Sequence, residues 1–163
     1  MASAAPAWFA IIDGAQDPRL AGLVKSAAEH ASLFKGDIDP DVLNASPWLV
    51  RLAEGEQVLP TWQAHGRGLN WGIMILSSLP FEQLRRHCRR FLQAKLPDGM
   101  LAMFRFYDPR VFRTYMAAAT PEERQPWFAE GVLRYAVERE DGRGLHEFQL
   151  VEGRLCDGDR QIG

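Results

Sequence analysis

Apolar positions along this chain come in short, nearly unbroken runs that alternate with segments of helical period. Residues 7–12 (AWFAII), 47–52 (PWLVRL) and 71–76 (WGIMIL) are such runs. Their length and content fit strands buried on both faces. The run 100–107 (MLAMFRFY) holds a single charge, Arg105, and predicts a further buried strand around which the chain is organised. In that strand Met100, Ala102, Phe104 and Phe106 face one side, and Leu101, Met103, Arg105 and Tyr107 face the other.

The segments between carry helix signals. Asp17-Pro18 precedes a stripe of Leu20, Leu23, Val24, Ala27, Ala28 and Ala31. Residues 32–39 are turn-rich, with a short edge strand at their start. Residues 58–65 predict a short helix closed by Gly66, and residues 80–95 the longest helix. Its Leu84, Cys88, Phe91 and Leu92 face the core, opposite most of Arg85, Arg86, Arg89 and Arg90. Asp108-Pro109 is an N-cap followed by proline at the first helical position, ahead of Phe112, Tyr115, Met116 and Ala119 at helical spacing. Thr120-Pro121-Glu122-Glu123 repeats the signal as a capping box, and Pro126 cuts that helix short. Residues 132–138 and 145–151 alternate around Asp141-Gly142-Arg143-Gly144, which reads as a hairpin.

The fold expected is α/β: a single domain over residues 1–152, with a mixed β-sheet of about five to six strands flanked by helices and a C-terminal β-hairpin. Residues 153–163 are read as a polar, frayed tail.

Composition narrows the function classes. With 163 residues, 47% of them hydrophobic, one domain with its own core is expected. The net charge of −2 carries no basic excess, so no nucleic-acid partner is expected. No stretch approaches the ~18 apolar residues of a membrane span, and residues 1–15 lack the basic start and apolar core of a signal peptide. Cys88 and Cys156 show no pairing or metal spacing. A reduced, cytoplasmic protein without a membrane partner is the expectation.

Asp13 and Asp108 both follow apolar runs, where strand ends of open sheets often line a ligand crevice. As a pair they could serve a small α/β hydrolase or phosphoryl-transfer enzyme. Turn and cap chemistry accounts for both more simply. Arg105 inside an apolar strand needs a partner, and a structural ion pair with a carboxylate is favoured over ligand contact. The RRHCRR run, 85–90, reads as the solvated face of a helix. The four histidines are scattered, and no phosphate loop or GxSxG elbow occurs, so neither metal nor cofactor is expected. Trp62 and Trp127 sit on short, proline-interrupted helices, where exposed rings would suit a protein interface, although core packing is the ordinary role of either alone.

The run FRFYDPRVF, 104–112, resembles the signature of the type VI secretion effector adaptor domain, also called effector chaperone and first catalogued as a domain of unknown function. WFAIIDGA, SPWLVRL and WGIMILSS fit the same pattern in order and spacing, from Trp8 to about Val132. The resemblance implies a cytoplasmic, non-enzymatic adaptor that binds a cognate toxin effector and helps load it onto a VgrG-type spike protein. Within the motif, Arg105, Asp108 and Pro109 are expected to hold the fold. Trp62, Trp127, Tyr107, Arg110 and Arg113 are the candidates for the effector or spike interface, with tryptophan at its centre and arginine at its rim.

Overall fold

The computed structural model describes residues 4–161. Nine strands and six α-helices follow one another among them: β1 (Ala7–Asp13), α1 (Leu20–Lys25), β2 (His30–Ser32), α2 (Pro40–Asn44), β3 (Pro47–Arg51), α3 (Val58–Thr61), β4 (Gly72–Ser77), α4 (Phe81–Arg89), β5 (Gln93–Lys95), β6 (Leu101–Met103), α5 (Pro109–Ala118), α6 (Pro121–Arg124), β7 (Val132–Glu138), β8 (Gly144–Val151) and β9 (Arg154–Gln161). A π-helical turn, Trp62–Gly66, extends α3, and a 3-10 turn, Gln125–Phe128, follows α6.

Seven strands form one sheet in the order β2-β3-β1-β4-β7-β8-β9. The α/β class and the terminal hairpin are as expected. The sheet, however, is antiparallel at every hydrogen-bonded pair instead of mixed. The crossover through α1 does join two strands of the same direction, β1 and β2, and the one through α3 joins β3 and β4. In each case another strand is inserted between the two, as in split βαβ units. Alternation of strand and helix in a sequence gives direction but not adjacency.

Alternation along β1 divides the core. Phe9 and Ile11 pack on one face with Ile73, Ile75, Tyr135 and Phe148 from the sheet, and with Leu84, Phe112 and Met116 from α4 and α5. Ala10 and Ile12 point the other way, into a smaller core with Trp48, Val50, Leu20 and Val24. The sheet is therefore covered on both faces, which is why its strands read as unbroken apolar runs. The π-turn draws the second core tight. A Cβ on Gly66 would lie 2.5 Å from the Trp71 ring and 2.7 Å from the Trp62 ring.

Several expected elements differ. Residues 100–107 are not a buried central strand. Only Leu101–Met103 is extended, and it pairs solely with β5 in a separate two-stranded sheet. The Phe104 N–H donates to the Leu92 carbonyl (2.7 Å), the last bond of that arm, and the chain then turns with Asp108 N–H on the Arg105 carbonyl (3.0 Å). Phe106 and Tyr107 are buried as a loop plug, not as a pleat. Their burial comes from an aromatic cluster around Trp127, which stacks on Phe91 (3.8 Å between centroids, 16° between planes) and meets Phe106 edge-on at 5.2 Å. Aromatic clustering buries a loop as well as a sheet does, and Met100, Leu101 and Met103 of the same run stay exposed. The helix expected over 80–95 stops at Arg89, and its last residues enter β5. The segment from Gly153, expected as a frayed tail, forms the edge strand β9 against β8. Among the described residues, no helix is long and apolar enough to cross a membrane.

Candidate functional site

The end of β1 and the approach to α5 meet through one ion pair. Asp13 closes β1, with its N–H on the Trp71 carbonyl (2.7 Å). Gly14 follows because a Cβ there would lie 2.1 Å from the Asn44 carbonyl oxygen. The Asp13 carboxylate accepts from the Ala15 N–H (3.1 Å), from the Gln16 side-chain amide (2.9 Å) and from Arg105 Nη2. The expected ion pair of Arg105 thus exists, but its burial is the reverse of the expectation. Asp13 is 1% exposed and Arg105 45%. With no strand to hold it, Arg105 lies on the loop surface and reaches inward.

Asp108 is extended (φ −81°, ψ 121°) and caps α5 as expected, accepting the Arg110 N–H at 2.9 Å. The Arg110 side chain folds back onto the same carboxylate, Nε to Oδ1 at 3.0 Å and Nη2 to Oδ2 at 2.7 Å. Pro109 occupies the first helical position and is buried. Burial pushes the Asp108 carboxyl up, but the Arg110 bonds outweigh it and hold the group below its ordinary value. Tyr107 is buried beside this cluster, and burial followed by the Asp13 charge raises its phenol to about 12. The Arg105 guanidinium lies 5.9 Å from the Tyr107 ring centre. Both carboxylates are therefore paired with arginine, Asp13 with Arg105 and Asp108 with Arg110.

Along α5 runs a groove of about 870 Å³, between that helix and the C-terminal strands. Arg110, Arg113 and Arg124 line it from the α5–α6 side, and Glu138, Arg139 and His146 from the β7–β8 side. Arg113 donates to the Glu138 carbonyl. Arg124 donates from Nε to the Met116 carbonyl (3.0 Å), where a cation complements the negative end of α5. The Glu138 carboxylate accepts from Trp62 Nε1 (3.1 Å) and the Gly68 N–H (2.6 Å), tying the π-turn to β7.

Of the expected interface residues, the structure brings Arg110 and Arg113 together on this groove. It does not place Trp62, Trp127 or Tyr107 on a free surface, because all three are buried. The two tryptophans also belong to opposite faces of the sheet, Trp62 in the smaller core and Trp127 in the larger. Proline at those helices shortens them without exposing their apolar side. The groove residues of the C-terminal strands were missed. The run Glu138-Arg139-Glu140-Asp141, charged on both sides of a strand end, was the available signal.

His87 is a further buried polar group the sequence did not single out. Arg90 Nη2 donates to its Nδ1 (3.0 Å), so Nε2 carries the proton and faces the Trp127 carbonyl (3.2 Å). Burial, then the nearby Arg90 charge, lowers the imidazole to about 4.

A family model described as "Domain of unknown function (DUF4123)" matches residues 8–126. No curated protein and no solved structure matches the chain.

Proposed function

The chain belongs to the DUF4123 family, and from that premise we propose that it is a non-enzymatic cytoplasmic adaptor of a type VI secretion system. In this reading it binds a cognate toxin effector and helps load it onto a VgrG-type spike protein. The observation that carries the reading is the motif FRFYDPRVF within the matched residues, which resembles the signature of effector adaptors.

The geometry around the motif favours binding over chemistry. A general base needs a free lone pair near a reacting proton. Asp13 and Asp108 each already accept three hydrogen bonds, from backbone N–H groups, the Gln16 amide and two arginines. Their work is to fasten the loop 104–108 to the end of β1 and to start α5. That leaves α5 as a rigid wall presenting Arg110 and Arg113 to the groove, a placement suited to the charged rim of a protein interface.

Co-expression of the tagged chain with the toxin encoded in the neighbouring reading frame tests the proposal. The expected result is a stable complex through affinity and size-exclusion chromatography, with no turnover of ester or phosphate substrates by the purified chain. Failure of the toxin to co-purify, or hydrolysis that disappears in Asp13→Asn, would overturn it.

A further inference from the structure

The two-stranded arm β5–β6 stands apart from the main sheet. Its registry pairs Gln93 with Met103, Ala94 with Ala102 and Lys95 with Leu101, and Leu96 N–H closes the turn on the Met100 carbonyl (2.8 Å). Cross-strand partners share a face. Leu101 and Met103 therefore lie on one face with Lys95, while Leu96 and Met100 continue the other face beyond the half-buried alanines. These four large apolar side chains are between 43% and 65% exposed. A two-stranded hairpin on its own is marginal in water, and a concentration of exposed Leu and Met on both faces of one adds an apolar surface that soluble proteins rarely leave open. Methionine is the residue that adapts such a surface to an irregular partner.

Cations lie on the helix before this arm and on the arm itself. Arg86 and Arg89 lie on α4, which leads directly into β5, and Lys95 lies on the arm itself. The side chains of these three make no hydrogen bond or ion pair with another described residue. Glu130 shares a hollow with Arg86 and Arg90 and is ion-paired to neither among the described residues.

We propose that the β5–β6 arm is the effector-docking element, inserting into an apolar cleft of the toxin whose rim carries carboxylates. The proposal rests on the adaptor reading above for the identity of its partner. Two exposed apolar faces need a partner that covers both, which is a cleft and not a flat patch. Arg89 before the arm and Lys95 opposite Leu101 beside its turn, both without a side-chain partner among the described residues, call for acidic groups at the mouth and along one wall of that cleft. A membrane fits less well, because Asp98 sits in the turn at the tip, fixed by the Met100 N–H on its carboxylate (2.9 Å), and would be the deepest group in the lipid.

The test compares affinities of the purified toxin encoded beside this chain for three variants. Leu101→Ser with Met103→Ser removes one face, Leu96→Ser with Met100→Ser removes the other, and Arg89→Glu with Lys95→Glu reverses the charge before and along the arm. All six side chains lie outside the two cores, so melting temperatures should stay near that of the unaltered chain. Each apolar pair should weaken binding by about a hundred-fold or more, as central interface residues do. The charge pair should slow association by about tenfold at low salt, with the effect fading as salt rises. If either apolar pair fails to fold, the other decides, since they lie on different faces. Folded apolar variants that bind within about twofold of the unaltered chain overturn the arm while leaving the adaptor reading in place. An unaltered chain that does not bind the toxin overturns the adaptor reading and the arm with it. Arm-dependent dimerisation in sedimentation, or arm-dependent flotation with phosphatidylcholine–phosphatidylglycerol vesicles, would instead assign the arm to a second copy or to lipid.

Discussion

Replacing Arg105 with Met is the perturbation that most directly probes how the motif holds the fold. The pair it forms is lopsided: the carboxylate of Asp13 is inside and the guanidinium is nearly half in water. Breaking a fully buried pair costs about 3–5 kcal/mol, because the remaining charge is stranded. Here the stranded group in Arg105→Met is Asp13, which keeps the Ala15 N–H and the Gln16 amide. The guanidinium is 45% exposed, so solvent screening weakens the pair. About 1.5–3 kcal/mol is therefore expected, or a fall of roughly 5–10 °C in Tm for a chain of this size. Asp13→Asn should cost only ~1 kcal/mol, since Arg105 can turn to solvent and the amide retains most of the bonding. In the double variant no charge is stranded, so its cost should be smaller than the sum of the two by about 1–2 kcal/mol. Urea unfolding followed by tryptophan fluorescence measures all four corners of the cycle. A cost below about 0.5 kcal/mol for Arg105→Met would refute the assignment of Asp13 as the buried, Arg105-dependent member.

Asp108→Ala should lower stability by about 0.5–2 kcal/mol through loss of the α5 cap, with Asp108→Asn retaining most of it, both read from urea midpoints. Trp127→Ala should cost about 3–5 kcal/mol, because it empties the centre of the aromatic cluster; calorimetry or urea unfolding measures it, and a loss below about 1 kcal/mol would mean the cluster repacks. His87, neutral when folded and lowered to about 4, should make stability fall as pH drops from about 6.5 to about 4, since the unfolded chain takes up the proton first. One such proton contributes at most ~1.4 kcal/mol per pH unit, and that slope should be absent in His87→Leu.

How much of this was legible beforehand differs by element. The caps at Asp108 and Thr120 were readable because they depend on a few consecutive residues, and both form, the second as a full capping box. The apolar runs of β1, β3 and β4 were readable because a sheet covered on both faces leaves no alternation to confuse. The run 100–107 misled for the same reason: apolar continuity signals burial, yet of its residues Trp127 packs only on Phe104 and Phe106, from another part of the chain, while Met100, Leu101 and Met103 stand exposed. The need of Arg105 for a carboxylate was legible, but its partner Asp13, ninety-two residues away, depends on tertiary closure. The arm carried a turn signal at Pro97-Asp98-Gly99, yet its exposure could not be read, because Leu and Met in a strand look the same whether covered or open.

Titration calorimetry of the purified chain with the toxin encoded beside it tests the adaptor function most directly. The account predicts saturable binding at a fixed stoichiometry, with a negative heat-capacity change from burial of the apolar arm. Absence of any binding at concentrations of about 50 μM, well above the Kd expected of a specific adaptor complex, would contradict it.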